Sequence, residues 1–304
     1  MRLAAYSAII PLVATHLALG APLVPKRTPS ASRSLFTSAG TDSNSTDTGS
    51  GSNSTIDSSP DSNSSGVSFA ADPSINVAGI YAAAQSAKGS PLPAGSYPTS
   101  TDSDATQVQI YGDWLTLGSG SANGSSTQSN SSAPSNSSDL DSRASAGAVS
   151  AFHFIADMDI DCDGPDENCA GNPDGQSLTS FGALDASKVP YFVIPETFTE
   201  QNQNILMPNA LGAIICDGKM YYGIYGDQNG DTPEAIGEAS ILVGQTCFPN
   251  ATINGAQGHD AADVAYIVFG EQVPSGVGNN TIDIAALKTL GDTQVKSLQS
   301  ALGL

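Results

Sequence analysis

Basic side chains are scarce in this 304-residue chain: ten Lys and Arg stand against thirty Asp and Glu, for a formal net charge of −20. That balance argues against nucleic acid as a partner, since phosphate binding needs the opposite sign. Where the acids line a cleft they would concentrate a cationic ligand. Histidine occurs three times and tryptophan once, at Trp114. No G-x-S-x-G elbow is present to make a nucleophile for His153 or His259, which disfavours a serine hydrolase. His153 lies in an alternating run and reads as a satisfied structural residue, and His259-Asp260 reads as a turn. Without a C-x-x-C pair or clustered histidines there is no zinc pattern, so neither a metal nor a cofactor is expected.

Long apolar runs are also missing beyond the first twenty residues. The run from Leu3 to Leu19 follows a single basic residue, Arg2, is broken by Pro11 and His16, and ends in the small residues of Ala18-Leu19-Gly20. It has the form of a secretory signal (1–20) and not of a membrane span, and the expected destination is extracellular. Lys26-Arg27 resembles a dibasic processing site. The four cysteines, Cys162, Cys169, Cys216 and Cys247, are an even number in a chain destined for an oxidising compartment, so two disulfides are expected. Three connectivities exist, and pairing Cys162 with Cys169 and Cys216 with Cys247 closes the shorter loops.

The segment 21–72 is dominated by Ser, Thr, Asn, Asp and Gly, with too little apolar surface to offset the entropy of ordering. It is expected to be a disordered pro-region or stalk, with glycosylation sequons at Asn44, Asn53 and Asn63. A folded domain spans 73–304. It opens with a helix over 73–88, and a second low-complexity tract at 118–147, with sequons at Asn123, Asn130 and Asn136, reads as a surface insertion. Strand-like runs follow at 108–117, 149–160, 189–194, 211–216, 219–225, 240–243 and 264–269, and a terminal helical pattern carries Ile284, Leu287, Leu290, Val295, Leu298 and Leu302. The fold class is therefore mainly β (α+β), with helices at both ends.

Asp217-Gly218 sits between two alternating apolar runs, the strongest local hairpin signal. The second strand of that hairpin ends at Gly226-Asp227, after which Asn229-Gly230-Asp231 and Pro233 form a loop returning through Gly237-Glu238. Asp227 and Glu238 thus flank one loop, the provision glycoside hydrolysis requires: one carboxylic acid to protonate the leaving oxygen, one carboxylate to attack or to activate water. Solvated turns carry such acids for no catalytic reason, so the pair needs support from elsewhere.

A second acidic run, Asp157, Asp159, Asp161 and Asp163, alternates with Met158, Ile160 and Cys162. Both Asp159–Gly164 and Asp227–Glu238 resemble calcium loops in part. The first has Ala170 where a bidentate Glu should stand, and the second has Thr232 where the loop glycine belongs. A carboxylate-lined groove for a cation-bearing ligand fits the first run better. Trp114, Tyr222 and Tyr225 offer flat faces for sugar rings, although alternation lets only one of the two tyrosines face a cleft.

Five motifs in one order are similar to the fungal chitosanases of glycoside hydrolase family 75: Met158-Asp159-Ile160-Asp161-Cys162-Asp163-Gly164, Tyr222-Gly223-Ile224-Tyr225-Gly226-Asp227 with Asn229-Gly230, Gly237-Glu238-Ala239-Ser240, Cys247-Phe248-Pro249-Asn250, and Gly258-His259-Asp260 with Asp263-Val264. The resemblance implies a catalytic domain over 73–304 with a six-stranded β-barrel core of double-psi type. It implies endo-hydrolysis of the β-1,4 links of chitosan by a monomer, with inversion, using Asp227 and Glu238 as base and acid. Asp157, Asp159, Asp161, Asp163, Asn229, Asp231 and Tyr225 are the expected substrate contacts. The alternative from another class is a non-catalytic acidic cell-wall module that binds chitosan or calcium.

Overall fold

The computed structural model describes residues 68–117, 149–165, 169–172, 175–278 and 280–304. The leader, the polar segment as far as residue 67 and the insertion at 118–148 lie outside the described residues, and so do all the sequons named above. In chain order the elements are α1 (Val77–Ser86), β1 (Pro91–Pro98), β2 (Gln107–Leu117), β3 (Val149–Asp161), β4 (Tyr191–Pro195), α2 (Glu196–Gln201), β5 (Leu211–Cys216), β6 (Lys219–Asn229), β7 (Glu238–Ser240), α3 (Ile241–Cys247), β8 (His259–Phe269) and α4 (Ile284–Ala301). The strands run β1-β2-β3-β7-β4-β6-β5-β8, and a further β3–β8 pairing closes the last six into a barrel. The pairs β3/β7 and β4/β6 are parallel and the remaining barrel pairs antiparallel.

Alternation along the strands divides the core in two. Phe152 and Phe154 of β3, Phe192 of β4, Ile214 of β5, Tyr225 of β6, Ala239 of β7 and Tyr266 of β8 belong to one buried cluster. All six barrel strands contribute to it, so it is the barrel interior. The opposite face carries Ile215, Tyr222, Ala265 and Ile267, and is covered by Ile80 and Ala84 of α1 and Leu287, Val295 and Leu298 of α4. Burying each of the large side chains contributes roughly 1.5–3 kcal/mol. Both disulfides join the expected partners, Cys162 to Cys169 and Cys216 to Cys247, the second tying the hairpin to α3.

The hairpin turn is as expected, with positive φ at Asp217 (46°) and Gly218 (69°). Several local expectations change for stated reasons. The first helix begins at Val77 instead of 73, because Asp72 turns back to accept from Ser74 and Asn76 supplies the cap to Gly79. Of the run 240–243 only Ser240 is strand: β7 ends there and the apolar residues enter α3, whose Ile241, Val243 and Cys247 are buried. Such a short apolar run fits either period. Strand β1 was unexpected because it holds three prolines, and it survives as the edge of the sheet, where missing donors cost no ladder bond. The hairpin strand runs on to Asn229 because β4 offers parallel partners where β5 has ended. His259-Asp260 opens β8 instead of forming a turn.

His153 is fully buried against Trp114 (ring centroids 4.2 Å apart) and Tyr111 (5.9 Å), and neither ring nitrogen has a hydrogen-bond partner. It is a structural residue, but not a satisfied one. Burial pushes its pKa down to about 4. The folded state resists a proton that the unfolded chain accepts below pH ~6.5. The stability linked to His153 is therefore present above that value and lost as pH falls towards 4. About 3 kcal/mol is expected to disappear across this window. Denaturant unfolding at pH 7 and pH 4 should show a smaller loss in His153→Phe than in the parent chain.

Candidate active site

The site is built by sheet register. Val193 of β4 pairs with Asp227 of β6 on one side and with Glu238 of β7 on the other, and Glu238 pairs in turn with Asp159 of β3. Residues opposite one another in a sheet project from the same face, so Asp159, Glu238, Val193 and Asp227 form one row across four strands. A bulge in β6 between Tyr225 and Asp227 places Asp227 in this row, by shifting the register against β4. Two interstrand spacings, about 9.5 Å, separate the main chains of Asp227 and Glu238.

Glu238 is half-buried and lines a hollow of about 160 Å³ together with Asp159, Asn229, Asp231 and Thr99–Thr101. Asn229 fixes the geometry of the returning loop. Its amide nitrogen donates to Glu238 Oε2 (3.2 Å) and Asp231 Oδ2 (3.3 Å), and its oxygen accepts from the backbone of Asp231 and Ala235. Gly237 delivers Glu238 to β7 with φ of 104°, pressed against Asp157 and Ala156. No Lys, Arg or His lines the hollow among the described residues.

Asp227 is differently placed. It is fully buried, and its Oδ1 accepts from Ser180 Oγ (2.6 Å), Ser180 N (2.8 Å) and its neighbour Gln228 N (2.7 Å). The turn around Ser180 therefore covers it. Beside it, Asp161, Asp163 and Asp227 each bring a carboxylate oxygen within 4.8 Å of the others, a spacing that can take a cation. Protein donors already serve this group: Asp163 N–H donates to Asp161 Oδ1 and Gln176 N–H to Asp163 Oδ1.

Burial, and then the charges of Glu238, Asp227 and Asp163, push the pKa of Asp161 well above the usual carboxylate range. Burial followed by the charges of Asp159 and Asp260 raises Asp157 to about 8. At mildly acidic pH Asp157 is therefore a neutral acid, adding hydrogen-bonding capacity and little charge. Asp159 opens to the hollow, yet the walls that strip its hydration, and then the carboxylates of Asp260 and Asp102, lift it to about 6.

Of the residues singled out from sequence, the structure brings Asp159, Asn229, Asp231 and Glu238 together around the hollow. Asp157, Asp161 and Asp163 lie behind it, each less than a tenth exposed. Tyr225 does not face it. That ring is inside the barrel, with its hydroxyl bonded to Thr199 Oγ1 (2.7 Å) and Gln228 Nε2 (2.9 Å). Trp114 and Tyr222 are buried as well, so none of the three aromatics provides a sugar platform. Ser180 and Thr99–Thr101 went unread because isolated hydroxyl residues in loops carry no pattern.

Residues 158–297 match the model of the fungal chitosanases of glycosyl hydrolase group 75. Endo-chitosanase C of Aspergillus oryzae is 43% identical over 242 residues, covering 78% of this chain and 55% of that protein. The chain thus spans little more than half the length of that relative. Endo-chitosanase B of the same fungus is 36% identical over 167 residues, covering 47% of this chain and 68% of its own. An endo-chitosanase of Aspergillus fumigatus is 34% identical over 176 residues, covering 50% and 73%. With the acid row, the closed barrel and these relatives in agreement, this chain belongs to the fungal chitosanases of glycosyl hydrolase group 75.

Proposed function

We propose that this chain is a secreted chitosanase that cuts internal β-1,4 links of chitosan with inversion at the anomeric carbon. The observation that carries the reading is the row in which Glu238 and Asp227 stand two strands apart on the same face. Inverting glycosidases keep their carboxyl groups ~6.5–9.5 Å apart so that a water fits beside the sugar. Glu238, open to the hollow and held by Asn229, is the general acid: its proton passes to the leaving oxygen as the C1–O bond breaks. Asp227 is the general base: it takes a proton from the water whose oxygen bonds to C1. In the conformation described, Ser180 closes Asp227 off, so water reaches it only when the turn at 179–182 lifts.

One observation favours a second assignment of the base. Asp159 pairs directly with Glu238 and already faces the hollow. Were Asp159 the base, kcat/KM would fall on the acid side with a limb near pH 6, the value to which its pKa is raised.

The acidic lining supports chitosan over a neutral glycan, because exposed carboxylates gain from ammonium groups and nothing from acetamides. The leader at 1–20 supports secretion, and among the described residues no helix is long and apolar enough to cross a membrane. The test is to incubate the protein with deacetylated chitosan and with fully acetylated chitin, following new reducing ends and the anomeric proton signals of the first products. Release of α-configured ends from chitosan alone is expected. Retention of chitosan without any new ends would leave an acidic binding module, and equal rates on both polymers would remove the role given to charge.

A further inference from the structure

The hollow beside Glu238 is not the largest depression on this face. A groove of about 600 Å³ adjoins it, with β1 as one wall and the loop at 231–234 as the other. The two share Asp231, and their walls are continuous in sequence: 92–98 passes into 99–101 on one side, and 231–234 into 235–238 on the other. Ile236 N–H donates to Pro98 O (3.0 Å), tying the walls together where the depressions meet.

The groove is stiff and of one charge sign. Its β1 wall is proline-bounded and pinned where Gln109 Nε2 donates to Leu92 O (3.5 Å) and Ile110 O (2.9 Å). Its far end is fixed by Glu234, which accepts from Thr197 N (3.2 Å) and Thr197 Oγ1 (2.8 Å) at the start of α2. Among the described residues Asp231 and Glu234 are its only charged lining residues, both acidic, against the apolar surfaces of Leu92 and Tyr97. Carboxylates beside apolar walls suit a chain of sugar rings that carries ammonium groups.

We propose that this groove is an extended polymer-binding subsite, holding the glucosamine units of the same chitosan chain that lie beyond the bond being cut. The proposal rests on the chitosanase reading, and it makes the segment 92–98 and the loop at 231–234 the determinants of preference for long substrates. The occupant follows from continuity: a chain seated in the Glu238 hollow leaves it past Asp231 directly into the groove.

Ser96 provides the test, because it lines the groove, is exposed and makes no part of the Glu238 hydrogen-bond network. In the full chain, Ser96→Trp fills the groove, Ser96→Lys opposes a polycation and Ser96→Glu keeps the sign. The readout is the ratio of kcat/KM on long chitosan to kcat/KM on a short glucosamine oligomer, at low and at high salt. Ser96→Trp is expected to lower that ratio at least tenfold at both salt levels. Ser96→Lys should lower it at low salt, with recovery at high salt, while Ser96→Glu stays within about threefold of the parent. Ratios equal to the parent's in all three variants would overturn the subsite, as would equal losses in the Lys and Glu variants. A parent chain that releases no ends from either substrate would overturn the chitosanase reading itself, a result separable from these.

Discussion

Replacing Glu238 by Gln is expected to lower kcat on chitosan by about 10³-fold or more with little change in KM, since proton donation to a leaving group contributes ~10²–10⁴. The exchange keeps shape, and Asn229 Nδ2, now 3.2 Å from a carboxylate oxygen, can still donate to the amide oxygen. Loss of turnover in a variant whose thermal midpoint is unchanged would therefore report the missing proton and not a collapsed loop. Asp227→Asn and Asp159→Asn identify the base. If Asp227 takes the proton from water, its Asn variant should fall as far as Glu238→Gln, while Asp159→Asn loses roughly tenfold and mainly in KM, as an ammonium contact should. The reverse order would assign the base to Asp159, which already faces the hollow. Near wild-type turnover in Glu238→Gln would remove the acid altogether.

The second large effect is expected at a residue with no functional group. Gly237 holds φ of 104°, and a Cβ there would lie 2.8 Å from Ala156 Cβ and closer still to the Asp157 carboxylate. Gly237→Ala should cost on the order of 2–3 kcal/mol, combining the penalty of a positive φ with the clash. Activity should fall further than stability, because the shift is delivered to Glu238, the next residue, and a misplacement near 1 Å can cost about a hundredfold. Urea midpoints and kcat/KM for Gly237→Ala and for Gly237→Ala combined with Asp157→Ala provide the check. The double variant should recover part of the loss, since the carboxylate clash is gone and the backbone strain stays. No recovery would mean that the backbone conformation and the contact with Ala156, not the carboxylate clash, set the position of Glu238.

Asp157 shows why the acidic cluster was only partly legible. Alternation with Met158 and Ile160 correctly placed Asp157, Asp159 and Asp161 on one face of β3, but their neighbourhood with Glu238 comes from the pairing of β3 with β7, which no local pattern announces. What became of each carboxyl group was decided by non-local packing. The turn around Ser180 closes over Asp227, Gly237 presses on Asp157, and only Asp159 opens to the hollow. Tyr225 followed the same logic, because a bulge of one residue separates a ring inside the barrel from a carboxylate in the acid row.

By itself the sequence determined what is local. It set the sign and scarcity of charge, the Asp217-Gly218 hairpin, the terminal helix through its apolar period, and the two acids bordering one loop, while for the cysteines it favoured the short-loop pairs without excluding the other two connectivities. Tertiary structure decided which strands became neighbours. Val193 between Asp227 and Glu238, the edge position that tolerates the prolines of β1, and the groove beyond Asp231 all arise from pairings between residues far apart in the chain. The physical reason is that turn and period signals are read over a few residues, whereas the solvation of a carboxylate depends on whatever surface the closed barrel brings against it.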